Sequence, residues 1–141
     1  WMDRLARFAE DRLKLEEPLI LAGDYNVIPE PSDAKNPQAW VGDALFQPES
    51  RQAWRALKGL GLYEAHELAG SPPGTYTFWD YQRLRFPKNE GMRIDFAWGS
   101  PGLAERVTAA YIDRNERKGK GASDHVPVVM EIADWTDWVA D

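Results

Sequence analysis

Three short stretches carry side chains able to move a proton or hold a charged group: GDYN at 23–26, RID at 93–95 and SDH at 123–125. Side chains alternate along an extended chain, so Asp24 and Asn26 point the same way at the end of any strand that delivers them. A carboxylate beside a carboxamide can orient a water and accept its proton, or help to hold a hard cation through oxygen. The same Gly-Asp-Asn composition also makes an ordinary turn after a strand. Asp95 lies in an apolar run (IDFAW), where an unpaired carboxylate is costly. Either Arg93, two residues back on the same face, neutralises it, or Asp95 fixes the tautomer of a histidine and stabilises its imidazolium. His125, next to Asp124, supplies such a histidine, and a neighbouring carboxylate brings imidazole to a useful charge state near neutral pH. Alone, an Asp-His pair is equally a polar surface loop. Three such clusters at strand ends favour one site.

The elements that must position these groups follow from periodicity. Residues 1–15 place Trp1, Leu5, Phe8 and Leu13 near one helical stripe, and Pro18 closes that helix. LILA at 19–22 reads as a short buried strand. A loop rich in Pro, Ser, Asp and Asn follows, and a second helix runs from Pro48 or Glu49 to Lys58, stopping at Gly59 and Gly61. Short strands are expected at 75–79, 92–98, 107–112 and 126–132. Helix, strand, helix and then several strands give an α+β or mixed α/β layer, not a parallel βαβ series. His66, among glutamates, reads as a solvated surface histidine. RNERKGKG at 114–121 reads as a mobile polar loop that brings Arg and Lys next to the SDH site. The aromatics of YTFWDY belong either to the core or, as Phe78 and Trp79, to a surface that stacks on a nucleotide.

Composition sets the outer limits. At 141 residues and 43% hydrophobic content with seven Trp, the chain is expected to form one domain with a real core. The absence of Cys excludes disulfides and cysteine-ligated zinc, and fits a reducing cytoplasm, the expected location. A net charge of −6 argues against a general nucleic-acid binder, but not against a nuclease whose carboxylates gather at a metal. No apolar run reaches membrane-spanning length and no leader is visible, so no membrane partner is expected. The chain opens on Trp1 inside a helical pattern and is expected to be a fragment or processed product.

GDYN, YTFWDY, GMRIDF and SDHVPV, in this order and spacing, resemble the C-terminal half of exonuclease III and the related apurinic/apyrimidinic endonucleases of the endonuclease/exonuclease/phosphatase superfamily. The stretch PESRQAWRALKGLGLYEAH resembles the helix between that family's first and second motifs. The resemblance implies an α/β fold that is half of a four-layer sandwich, one mixed sheet with flanking helices, spanning 1–141. It implies a Mg2+-dependent phosphodiesterase, with Mn2+ as a substitute, acting on abasic sites and 3′ termini of double-stranded DNA to leave 3′-hydroxyl ends. By motif, Asp24 would orient or deprotonate the attacking water, with Asn26 helping to position it. His125 would contact the scissile phosphate, held by Asp95, or act itself as the base. Asp124, His125, Asp24 and Asn26 would lie on the metal side. Phe78, Trp79, Met92, Arg93 and Ile94 fall where substrate is bound. The family's principal metal-binding glutamate, an asparagine and an active-site tyrosine lie in the N-terminal half, so that half is an expected partner. Without it the inner face of the sheet should be apolar and uncovered, and the chain alone nearly inactive. The alternatives are a superfamily phosphodiesterase acting on a phosphoinositide or sphingolipid, or a non-catalytic interaction domain of the same fold.

Overall fold

The computed structural model describes residues 1–133, so the expected domain end at Asp141 lies outside the described residues. Helix α1 (Met2–Leu13) leads to strand β1 (Ile20–Asp24), and helix α2 (Pro48–Gly59) to strand β2 (Tyr63–Glu64) and the short helix α3 (Ala65–Ala69). Strand β3 (Asp95–Gly99), the one-turn helix α4 (Pro101–Ala104) and strands β4 (Val107–Ile112) and β5 (Val128–Ile132) complete the order. The layered α/β architecture is as expected. Among the described residues, however, the strands form two antiparallel sheets, β1-β3-β2 and β4-β5, and not one mixed sheet.

Helices α1 and α2 cover one face of the larger sheet. Met2, Leu5, Ala6, Ala9 and Leu13 of α1, with Ala53, Trp54 and Leu57 of α2, pack on Leu21, Phe96 and Trp98. At 100° per residue, positions 2, 5, 6, 9 and 13 fall within one stripe. Trp1 and Phe8, expected in that stripe, lie well to one side of it and are 66% and 45% exposed. Pro48 at the first turn of α2 leaves no unmet backbone donor there, and Leu60 and Gly61 turn the chain at its end.

The opposite face of the larger sheet is open only along β1, because Ala97 and Gly99 of β3 on that face are buried. Ile20, Ala22 and Asp24 of β1 are exposed, so LILA is half of an open strand and not a buried one. Among the described residues no helix is long and apolar enough to cross a membrane.

Segment 75–79 is not a strand. Phe78 makes isolated bridges to Met92 and to His125, and thereby stitches the 92–94 and 124–126 segments together. Thr77 explains the irregularity: its Oγ1 accepts from the amides of both Ile94 (3.0 Å) and Asp95 (3.2 Å), doing with a side chain what a ladder carbonyl would do. The close approach here also requires Gly91, because a Cβ at that position would sit 2.6 Å from the Phe78 carbonyl oxygen.

Candidate active site

The β1-β3 register sets Asp24 directly opposite Asp95, on the face turned away from the helices. Two carboxylates facing each other across an antiparallel pair repel. His125 is the group that reconciles them. Its Nδ1 lies 2.9 Å from Asp95 Oδ2 and 3.1 Å from Oδ1, while Nε2 faces Asp24 Oδ2 at 3.8 Å and Asp124 Oδ1 at 4.0 Å. An ionised carboxylate only accepts, so Nδ1–H donates to Asp95 and Nε2 is left to face outward.

Each of these side chains is held by its own backbone. Trp79 N–H donates to the Asp124 carbonyl (3.0 Å) and Val126 N–H to the Thr77 carbonyl (2.9 Å), which fixes the His125 backbone against segment 77–79. The His125 amide donates to Ser123 Oγ at 3.1 Å. The half-buried Phe78 ring lies 5.1 Å from the imidazole. Asn26 has a left-handed φ of 50°, a conformation Asn tolerates, and its amide donates to Asp24 Oδ1 at 2.9 Å. The turn and the site are thus one feature: the turn occupies one Asp24 oxygen and leaves the other toward His125.

Burial and charge act on the pair in opposite senses. Burial lifts the Asp95 carboxyl above its ordinary value, against the lowering by its hydrogen bonds with His125 and Thr77. Burial lowers His125, but the Asp95 hydrogen bond and the charges of Asp95, Asp24 and Asp124 outweigh it and raise the imidazole above 6.5. A raised histidine adds stability that is fully present below its unfolded value and lost as pH rises through the folded one. His66 behaves oppositely and is not the solvated residue expected. It is half-buried with Nδ1 shielded and unpartnered, and burial, reinforced by the Arg93 charge, pushes it down to about 4. The stability linked to His66 is intact above its ordinary 6.5 and lost as pH falls toward about 4. With two histidines in the chain, proton NMR of the metal-free protein is expected to show one C2 resonance titrating near pH 4 and the other above 6.5. Coincident midpoints would contradict the geometry.

The structure gathers Asp24, Asp95, Asp124 and His125 at one end of the larger sheet, and brings Asn26 to it through the backbone amide that donates to Asp24. It disperses most of the expected substrate-side residues. Arg93 does not pair with Asp95: residues 92–94 precede the strand, and the guanidinium is buried between Asp33 (2.8 Å) and Glu64 (3.0 Å). Trp79 is fully buried, its Nε1–H donating to Asn89, and has no face free for stacking. Met92 and Ile94 are buried with Ile28 and Ala34. Phe78 alone of the five remains at the surface beside His125. Sequence reasoning missed Asp33, Glu64 and Thr77. The one signal was the TYT alternation, which points Thr77 away from the aromatics beside it.

Asp24, Asp95 and His125 each offer one ligand atom, all within 4.8 Å of one another. Asp95 is engaged through both oxygens with Nδ1, so the oxygens facing open space are those of Asp24 and Asp124, on the Nε2 side. Carboxylate oxygens as the available donors fit a hard divalent cation better than a soft one. A shallow trough of about 220 Å3, floored by Ala22, Ala97, Val126 and Val128, runs from this cluster beside the exposed strand β1.

Comparison with known proteins places the chain in a family. The model of the endonuclease/exonuclease/phosphatase family matches residues 1–125. The chain is 34% identical to the DNA repair nuclease APEX1 of Danio rerio over 86% of its length and 38% of the relative's. It is 30% identical to an exodeoxyribonuclease of Bacillus subtilis over 94% of its length and 51% of the relative's. Among solved structures, a 3′ phosphatase from Neisseria bound to a product DNA hairpin superposes with a TM-score of 0.87 at 30% identity, covering 96% of this chain and 52% of that one. An AP endonuclease from Archaeoglobus fulgidus superposes with a TM-score of 0.84 at 28% identity, covering 94% of this chain and 52% of that one. The chain therefore spans about half the length, or less, of these relatives.

Proposed function

This chain belongs to the endonuclease/exonuclease/phosphatase family, and from that premise we propose that it forms the C-terminal half of a DNA-repair phosphodiesterase acting on abasic sites and 3′ termini of double-stranded DNA. The observation that carries the reading is the pair of register-opposed aspartates, Asp24 and Asp95, joined by His125. A relative that is a DNA repair nuclease and a neighbour bound to a DNA hairpin support DNA as the substrate class. The cysteine-free composition supports a reducing, cytoplasmic setting.

A phosphodiester is anionic, so its hydrolysis needs a positioned water and relief of negative charge. Asp24, with one oxygen tied to the Asn26 amide, orients the water and takes its proton. The water oxygen bonds to phosphorus, the P–O bond to the 3′ oxygen breaks, and that oxygen leaves as an alkoxide that takes a proton from solvent to become the 3′-hydroxyl. His125, whose charged form the surrounding carboxylates favour and which Asp95 holds, meets the phosphate through Nε2. Asp24 and Asp124 would hold a Mg2+ ion, which when bound neutralises charge at the phosphate and the leaving oxygen. Phe78 borders the place where the sugar would lie.

The exposed face of β1 and the trough beside it support a further expectation, that an N-terminal half of the same protein covers them and completes the site. The test is to assay the complete protein and residues 1–141 on an abasic duplex with Mg2+. Cleavage by the complete protein, and none or almost none by residues 1–141, is expected. Full activity of residues 1–141 would remove the need for a second half. Cleavage of a phosphoinositide or sphingolipid headgroup in preference to DNA would overturn the substrate class.

A further inference from the structure

The segment expected to be a mobile loop is a 3-10 helix, Arg114–Lys118, and its arginines do not face solvent alone. The Arg117 guanidinium lies over the ring of Tyr81 (4.7 Å) and near that of Phe86 (5.5 Å), and its Nη2 donates to the Trp79 carbonyl at 3.3 Å. Arg114 lies over Phe86 (4.2 Å) and Trp79 (5.4 Å). Tyr81, on the same irregular loop, returns the connection: its hydroxyl donates to the Ala122 carbonyl at 2.8 Å.

The chain between this helix and the site has only short local bonds of its own, Ala122 N–H to the Gly119 carbonyl and the His125 amide to Ser123 Oγ, both 3.1 Å. Gly119 and Gly121 flank Lys120, and Gly121 has a φ of 72°. Such a segment does not by itself fix the next residues, Asp124 and His125. What fixes it comes from across the gap, through Tyr81 to Ala122 and Trp79 to Asp124.

We infer that Arg117 is a positioning residue, which clasps the 79–86 loop and through it holds Asp124 and His125 in register with Asp24 and Asp95. The inference rests on the nuclease reading for its kinetic test, but not for its structural one. Arg117 is half-buried and its Nε is shielded without an acceptor, so stacking on rings and one carbonyl hold the guanidinium. A planar guanidinium stacks on aromatic faces in a way that an ammonium does not reproduce. Lysine should therefore not replace it.

In the complete protein, Arg117→Ala and Arg117→Lys are expected to lower kcat on an abasic duplex by about tenfold or more, as misplaced reacting groups do. KM should stay within about twofold, and the salt dependence of KM should be unchanged, because no phosphate contact is lost. Hydrogen exchange at residues 119–125 should accelerate in both variants. Tyr81→Phe, which removes one hydroxyl and cannot unfold the domain by creating a void, should reproduce the exchange effect in part. The inference is overturned by wild-type kcat in Arg117→Ala. It is overturned equally by a weakened KM whose salt slope falls by about one and which Lys restores, the behaviour of a phosphate contact. If the unsubstituted complete protein cleaves no DNA, the nuclease reading fails. The exchange measurement then decides the clasp, and unchanged protection at 119–125 sinks it.

Discussion

Asp95→Asn in the complete protein is expected to lower kcat on abasic DNA by on the order of 10²–10⁴-fold, the range associated with losing a correctly charged acid–base partner. Both Asp95 oxygens lie within 3.1 Å of His125 Nδ1, so the carboxylate accepts the Nδ1 proton whichever oxygen is used. The amide offers one acceptor and one donor, and it carries no charge. Burial would then act on His125 with one less charge opposing it, and its midpoint should fall from its raised position. The imidazole that meets the phosphate would then carry its charge less readily than in the unsubstituted protein. Stability should move the other way or not at all, because the substitution removes one of two aspartates that face each other across β1 and β3. Activity lost with melting temperature retained would separate a site role from a structural one. Activity within about threefold of the unsubstituted protein would remove Asp95 from the reaction.

What the sequence made legible divides along a physical line. Asp24, Asp95, Asp124 and His125 are readable because each cluster carries its own signal near a strand end, whereas the alternation expected to align Asn26 with Asp24 stops at the end of β1, where Asn26 turns left-handed. The helices are readable for the same reason, with α2 bounded by Pro48 and Gly59, although α1 ends at Leu13, well before the expected stop at Pro18. Arg93 was misread because its partners, Asp33 and Glu64, are 60 and 29 residues away, and nothing local distinguishes them from Asp95. Segment 75–79 was misread because Thr77 uses its side chain where a strand uses its backbone. His66 was misread because flanking glutamates suggest water, although Glu64 points into the core and is 1% exposed. The 114–118 turn reads as a loop from its charge because the aromatic faces it stacks on, Tyr81 and Phe86, are remote in sequence. Local periodicity therefore located the chemistry, and long-range charge pairing, which it cannot see, holds that chemistry in place.

Arg93→Met is expected to destabilise the protein by about 3–5 kcal/mol, the cost of breaking a buried ion pair and leaving its partners uncompensated. Against a total of about 5–15 kcal/mol for an ordinary domain, that loss is severe. The guanidinium grips Asp33 with two bonds, 2.8 and 3.2 Å, and Glu64 with a third at 3.0 Å. The three side chains are 5%, 8% and 1% exposed, so water cannot replace the lost partner. Phe96 and Trp54 lie 5.0 and 5.8 Å from the guanidinium, which Met would pack against only in part. Arg93→Lys should recover little, because one ammonium cannot reproduce a fork that serves two carboxylates. Burial already raises the Glu64 carboxyl, with the Arg93 charge opposing that rise. Without Arg93 the folded-state value climbs further above the unfolded one. A carboxyl raised on folding contributes stability at low pH that is lost as pH rises through the folded value. The deficit of Arg93→Met should therefore be large at pH 7 and narrow on acidification, as the Glu64 carboxyl takes up its proton. Urea melts of the variant and the unsubstituted chain at pH 7 and at lower pH measure it. The same residue ties the 31–33 turn and the start of α3 to the segment that ends in Ile94 and Asp95, so the site should loosen with the fold. A deficit that is constant with pH would mean that lost packing, and not two stranded charges, sets the cost.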